Sequence, residues 1–163
     1  MKLVSLADIA PEAVDALLDR AFGADRRSRT AYRIRAGAEP VAAISLALVD
    51  GATLIGALQC WPVALHRDDG GRVPLVMVGP VAIAPPHQGH GHGTTLMLAM
   101  LERVRALGLA EPLMLIGDPE YYARFGFTAD ATREWRVPGP VERHRLLAHG
   151  AVPAGAGILG PRG

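Results

Sequence analysis

One cysteine, Cys60, is the entire thiol content of this 163-residue chain. A lone thiol excludes an intrachain disulfide and every zinc cluster built on several thiolates, and a reducing, cytoplasmic setting suits it best. Charge imbalance is lacking too: 17 Lys and Arg against 16 Asp and Glu leave a formal net charge of +1. That balance gives no electrostatic case for nucleic acid or an anionic membrane surface as partner. No apolar run has the length that crosses a bilayer. Asp8 and Glu12 interrupt the apolar N-terminal start before the core of a signal peptide can form. Repeats are absent, and no linker divides the chain. One domain is therefore expected over residues 1–150, followed by a Gly/Pro/Ala-rich tail at 151–163 for which partial order at best is expected.

Half of the residues are apolar and a fifth are charged, the balance of a soluble globular chain with a substantial core. Met1 to Leu6 reads as a short strand, and Asp8 as the cap of a helix whose first turn holds Pro11. Val14, Leu17, Leu18, Ala21 and Phe22 mark one helical face, with Gly23 as the stop. From Asp25 to Arg35, five arginines surround Tyr32 and Ile34, which reads first as a short solvated helix and second as a basic lip over a binding site. Val41 to Val49, Thr53 to Leu65 and Val73 to Ala84 read as an antiparallel meander turned at Asp50-Gly51 and Asp68-Asp69-Gly70-Gly71. The third strand is apolar on both faces and should be central, yet it carries Gly79-Pro80. Proline cannot donate to a ladder, so a bulge is expected there, and with it a gap in pairing where a ligand can lie.

Pro85-Pro86-His87-Gln88-Gly89-His90-Gly91-His92-Gly93 then leads into a helix marked by Met97, Met100, Leu101, Val104 and Leu107 and stopped at Gly108. Alternate glycines at a helix start leave backbone N–H groups with little side-chain cover, where the helix dipole also favours an anion, most simply a phosphate. A triphosphatase loop needs a lysine and hydroxyl after the last glycine, and Gly93 is followed by Thr94-Thr95 without lysine. A dinucleotide fingerprint needs a different glycine spacing inside an early βαβ unit, and an antiparallel approach argues against it. Gln-x-x-Gly-x-Gly at the end of a bulged strand is matched by Gln88, Gly91 and Gly93. Pro112 to Gly117 is a further strand, expected to run parallel to the bulged one after the helical crossover. Asp118-Pro119 opens a short helix holding Tyr121 and Tyr122. Weaker strands are expected at Glu134 to Val137 and Arg145 to Ala148.

With Val81-Ala82-Ile83-Ala84-Pro85, the glycine turn, and Tyr121-Tyr122-Ala123-Arg124-Phe125-Gly126-Phe127 in this order, the chain resembles the GCN5-related N-acetyltransferase (GNAT) superfamily. The resemblance implies an α/β (α+β) fold: a mixed, mostly antiparallel central sheet with a splayed parallel strand pair and helices on both faces. It implies acetyl-CoA as co-substrate, an amine acceptor that is a small molecule or peptide, and a monomer or homodimer. Carried over residue by residue, the backbone of Gln88, Gly89, His90, Gly91, His92, Gly93 and Thr94 would hold the pyrophosphate. Val81, Ala82 and Ile83 would line the pantetheine arm, the Ile83 region would supply an N–H to the acetyl carbonyl, and Tyr122 would protonate the departing thiolate. Two departures stand out. The strand carries no acidic residue where many members have a glutamate base, and Asp118 stands near the place of a cofactor-holding asparagine. The first departure keeps open a CoA-binding sensor without turnover beside an N-acetyltransferase.

Arg29, Tyr32, Trp61, Tyr121 and Trp135 are candidates for the acceptor pocket by position. His87, His90 and His92 cluster without an acidic or thiol companion, so no metal site is expected from them. Cys60 is expected to pack or line a pocket rather than act as a nucleophile.

Overall fold

The computed structural model describes residues 1–163. Strands β1 (Lys2–Ser5), β2 (Leu46–Asp50), β3 (Thr53–Arg67), β4 (Arg72–Ile83), β5 (Leu113–Ile116) and β7 (Leu146–His149) follow one another in that order across one open sheet. β6 (Trp135–Arg136) pairs with β8 (Gly157–Pro161), and β8 pairs with β3. The β1–β2, β2–β3, β3–β8 and β5–β7 pairs are antiparallel, whereas β4–β5 is parallel. Four helices accompany the sheet: α1 (Pro11–Phe22), α2 (Thr30–Ile34), α3 (His92–Ala106) and α4 (Pro119–Tyr122). The β6–β8 pair is parallel as well, so the sheet is mostly antiparallel with two parallel pairs, in agreement with the expected fold class.

The chain forms two compact units. One comprises Met1–Arg27, Pro40–Cys60 and Gly79–Leu109, and carries α1, α3 and the glycine turn. Its core joins Val14, Leu17 and Leu18 of α1 to Leu6, Ala47, Ala57, Ala82 and Ala84. The small residues facing α1 are alanines on the strands, which lets the leucines of the helix fill the space between. The other unit comprises Ser28–Glu39, Trp61–Val78 and Ala110–Gly163. Its core gathers Ile34, Val63, Leu65, Leu75, Met77, Met114, Trp135, Leu146 and Leu159.

β4 behaves as a central strand: Leu75, Val76, Met77 and Val78 are all buried, on both faces. Its ladder with β5 consists of Val76↔Leu113 and Met77↔Met114 and ends before Gly79-Pro80, whose peptide bond is cis. Pairing with β5 is therefore given up next to the proline, as a missing N–H requires.

Three local expectations are revised. Asp8 lies in a 3-10 turn (Leu6–Asp8), and α1 begins after Ala10 with Pro11 in its first turn and no side-chain cap. The arginine-rich stretch is a short solvated helix only in part: Arg27, Arg29 and Arg33 are exposed, but a 3-10 turn (Arg26–Ser28) precedes α2, and Arg26 and Arg35 are buried. Arg26 is held at 2.8 Å by Asp19 and at 3.2 Å by Asp15, both from the preceding helix. The small-residue tail contains β8, which is anchored by Arg162 donating to the carbonyls of Val63 and Leu75. A Cβ on Gly157 would stand 2.6 Å from the His66 carbonyl oxygen, so only glycine lets β8 approach β3 this closely.

Gly157→Ala is expected to lower unfolding free energy by about 1–3 kcal/mol through backbone displacement. Gly163→Ala, where a Cβ meets nothing within 4 Å, is expected to leave it unchanged. Urea denaturation of the two variants checks this, and equal midpoints would refute the close-approach argument.

Candidate active site

The glycine turn begins where β4 ends. Ala84 accepts from the His87 N–H at 2.8 Å in a 3-10 turn (Pro85–His87), and the Gln88 side-chain amide donates back to the Ile83 carbonyl at 3.0 Å. That bond ties the motif glutamine to the end of the strand. Gly89 and Gly91 have φ of +83° and +81°, a left-handed backbone that residues with a Cβ rarely adopt. Open space lies beside both: a Cβ would meet nothing within 4 Å. Gly91 is the N-cap of α3 and offers no side-chain cap, and the first turn of the helix holds no acidic residue. The initial N–H groups of a 15-residue helix thus lack a side-chain acceptor at the cap, and the helix dipole adds to their attraction for an anion. Within the same unit Val81 and Ile83 are half-buried, whereas the Ala82 methyl is in the core.

The second motif is built as tightly. Gly117 follows β5 and donates its N–H to the Arg145 carbonyl at 2.9 Å. Asp118 caps α4 by accepting from the Glu120 N–H at 3.0 Å, and its carbonyl receives the Tyr122 N–H at 2.9 Å. A 3-10 turn (Ala123–Phe125) and the left-handed Gly126 close the element. The Tyr122 ring stands edge-on to Tyr121 with centroids 4.9 Å apart, and lies 6.3 Å from the rings of both Phe125 and Phe127. Burial, reinforced by Tyr121 and Asp118 and opposed by Arg145, pushes the Tyr122 phenol up to about 12. It is therefore a neutral proton donor at physiological pH.

The Acetyltransferase (GNAT) domain model matches residues 6–129, a span that contains the glycine turn and the tyrosine motif. The chain belongs to the GNAT acetyltransferase family. It is 28% identical over 139 residues to YhbS of Escherichia coli K12, described as an uncharacterized N-acetyltransferase; the match covers 83% of this chain and 78% of YhbS. The fold is similar to that of the E. coli YhbS structure in complex with CoA, with a TM-score of 0.72 and 23% identity over 96% of this chain and 87% of that one. It is also similar to a GNAT acetyltransferase of Brucella melitensis in complex with acetyl-CoA, with a TM-score of 0.64 and 22% identity over 94% and 92% of the two chains.

Other GNAT positions singled out in the sequence fall as follows. The three histidines lie close together, with ring centroids of His87 and His90 at 6.5 and 6.2 Å from that of His92. No group of three or more His, Cys, Asp or Glu converges to hold a metal ion. Asp118 spends one carboxylate oxygen on the α4 cap. Arg29 is exposed at the start of α2, and Tyr121 is half-buried beneath the Arg124 guanidinium at 4.5 Å. Trp135 is wholly buried among Ile34, Val63, Leu65 and Leu146, a core position and not a pocket wall. A two-residue strand with an indole gives no sequence signal of that depth.

Sequence reasoning gave Arg35 no role apart from the arginine run. Its guanidinium carbon lies 4.0 Å from the centroid of the Tyr32 ring and 3.8 Å from that of Trp61, so cation–π attraction from two rings supports a buried charge. Nothing in the local sequence marks it, because Trp61 comes from another element. α2 is also tied to the Pro138–Pro140 turn, through Thr30 Oγ1 to the Pro140 carbonyl at 2.6 Å and Arg33 to that of Pro138 at 3.0 Å.

Cys60 is fully buried, its N–H donates to Ser45 Oγ at 3.0 Å, and its thiol donates to the Ile44 carbonyl at 3.7 Å. Burial pushes its thiol up to about 12, so the unreactive thiol form prevails far above neutrality. The folded protein is expected to be inert to an aromatic disulfide reagent at about pH 8, with one thiol titrating after denaturation. Rapid reaction of the native protein would contradict the burial.

Proposed function

We propose that this protein transfers an acetyl group from acetyl-CoA to a primary amine, by direct attack within a ternary complex and with Tyr122 as general acid. The observation that carries the reading is the placement of Tyr122 in the tyrosine motif: a half-buried phenol, neutral at physiological pH, whose ring is packed by Tyr121, Phe125 and Phe127. The glycine turn suits the co-substrate: its left-handed glycines are bordered by open space, and the cap of α3 has no side-chain oxygen competing for the helix N–H groups. The relatives' complexes with CoA and acetyl-CoA add to that fit.

In this reading the N–H groups from Gln88 to Thr94 hold the pyrophosphate, and the backbone of Val81 and Ile83 bonds the pantetheine arm as a further strand would. The Ile83 region also offers an N–H to the thioester oxygen as negative charge builds on it. The thioester supplies the activated acyl group. The amine nitrogen forms the new bond to the carbonyl carbon, the carbon–sulfur bond breaks, and the Tyr122 O–H gives its proton to the leaving sulfur. The proton lost by the amine restores the balance through solvent. β4 has no aspartate or glutamate, so either the base lies on another element or the amine arrives already neutral; in the second case turnover rises with pH toward the acceptor's own pKa, and in the first it follows the base. We place this reaction in the cytoplasm, in a single catalytic domain. The same missing carboxylate favours a second reading, a CoA-binding sensor without turnover.

Acetyl-CoA is expected to raise the melting temperature, and Gly91→Glu to abolish that shift by setting a carboxylate against the pyrophosphate. An undiminished shift in Gly91→Glu would reject the site. Thiol release across amino acids, polyamines, aminoglycosides and peptides identifies the acceptor. With it, Tyr122→Phe is expected to lower kcat by about 10²–10⁴-fold at unchanged acetyl-CoA affinity. Binding without thiol release on any amine would favour the sensor.

A further inference from the structure

We propose that Gly117 is a positioning residue for Tyr122: the absence of a Cβ at the end of β5 lets the tyrosine ring lie against the backbone, and this contact sets where its hydroxyl stands. The inference rests on the general-acid reading of Tyr122. A Cβ built on Gly117 would stand 2.5 Å from Tyr122 Cε2 and 2.9 Å from Cδ2. Both are far inside van der Waals contact, so the ring cannot keep its place beside any other residue. Cε2 is bonded to the carbon that bears the hydroxyl, so a push there is delivered to the reacting end of the side chain.

The backbone gives no other reason for glycine. The φ of Gly117 lies outside the left-handed region, unlike that of Gly126 at +88°, where conformation alone requires glycine. The remaining close neighbour, Leu115 Cδ1 at 3.1 Å, is the end of a flexible side chain that can give way. The tyrosine ring has less freedom. Tyr121 stands against it at 84°, Phe127 at 69° and Phe125 at 51°. Both ends of the short segment are also fixed, by the Gly117 N–H on the Arg145 carbonyl and the Tyr122 N–H on the Asp118 carbonyl. Displacement of the ring must therefore change the position of its hydroxyl.

The test places Gly117→Ala in two backgrounds, the natural chain and Tyr122→Phe. Phenylalanine keeps the ring that the new methyl strikes and removes the hydroxyl, so structural cost and lost acid catalysis separate. Thermal stability is expected to fall equally in both backgrounds. With the amine found in the acceptor screen, kcat is expected to fall about 10–100-fold in the natural background. It should change less than about twofold in the phenylalanine background, with KM for acetyl-CoA unchanged in each. Fluorine NMR of protein labelled with 3-fluorotyrosine, with Tyr122→Phe assigning the resonance, reads the ring without any acceptor. Gly117→Ala is expected to move the Tyr122 signal and leave that of Tyr32 in place.

An unmoved Tyr122 signal, or a fall in kcat of the same factor in both backgrounds, would overturn the proposal. If no amine supports turnover, the enzymatic reading fails on its own, and the fluorine signal still decides whether Gly117 holds the ring. If Gly117→Ala does not fold, the pair Gly117→Ala/Tyr122→Ala must restore folding. An unfolded pair would show that the ring is not what the methyl meets, and the proposal would fall.

Discussion

Pro80 interrupts hydrogen bonding in a strand whose middle, Leu75 to Val78, is buried on both faces, and the neighbours of β4 change at that point. β4 is covered on both faces and would ordinarily pair along its whole length, yet Pro80 has no N–H to give. The ladder with β5 ends after Met77, and the division between the two compact units passes through β4 between Val78 and Gly79. Residues before that point pack with β5, β7 and the tryptophan core. Residues after it pack with α1 and lead to the glycine turn. One missing donor thus ends a parallel pair and hands the rest of the strand to a different set of neighbours.

The two motifs use opposite solutions to the problem of backbone and solvent. At the turn, polar groups are left uncovered: Gly91 caps α3 without a side chain, and open space adjoins Gly89 and Gly91. Those N–H groups are held in place by the turn and need no rearrangement to receive an anion. At α4, a polar group is partly covered: the half-buried Tyr122 ring packs against aromatic neighbours, and burial raises the pKa of its phenol. In the proposed reaction, exposure would suit the part that binds the pyrophosphate, and aromatic packing would suit the part that gives a proton to sulfur.

Much of this was legible in the chain itself. The meander, the central strand and α3 follow from hydrophobic period and turn residues, and both motifs are contiguous, so their residues are neighbours by covalent connection. The misreadings share a different cause. Arg26 and Arg35 look like members of an exposed charge run, but Asp15, Asp19, Tyr32 and Trp61 give them partners that bury them. Trp135 reads as a pocket aromatic and is wholly inside the core. Asp8 precedes a helix at a plausible distance, yet a 3-10 turn intervenes and α1 begins without a side-chain cap. Each error concerns depth or partner, which depend on what the rest of the chain brings alongside.

The order of elements through α4, the family and the two motifs can be read from the chain alone, because periodicity, glycine spacing and proline are local properties that survive without coordinates. Tertiary structure alone decided which cations are buried, that the small-residue tail closes onto β3 as β8, and that the ring of Tyr122 occupies the space a side chain at Gly117 would need. The physical reason is common to all three. Burial and steric contact are properties of pairs of residues, and no single residue type encodes the neighbour it will meet.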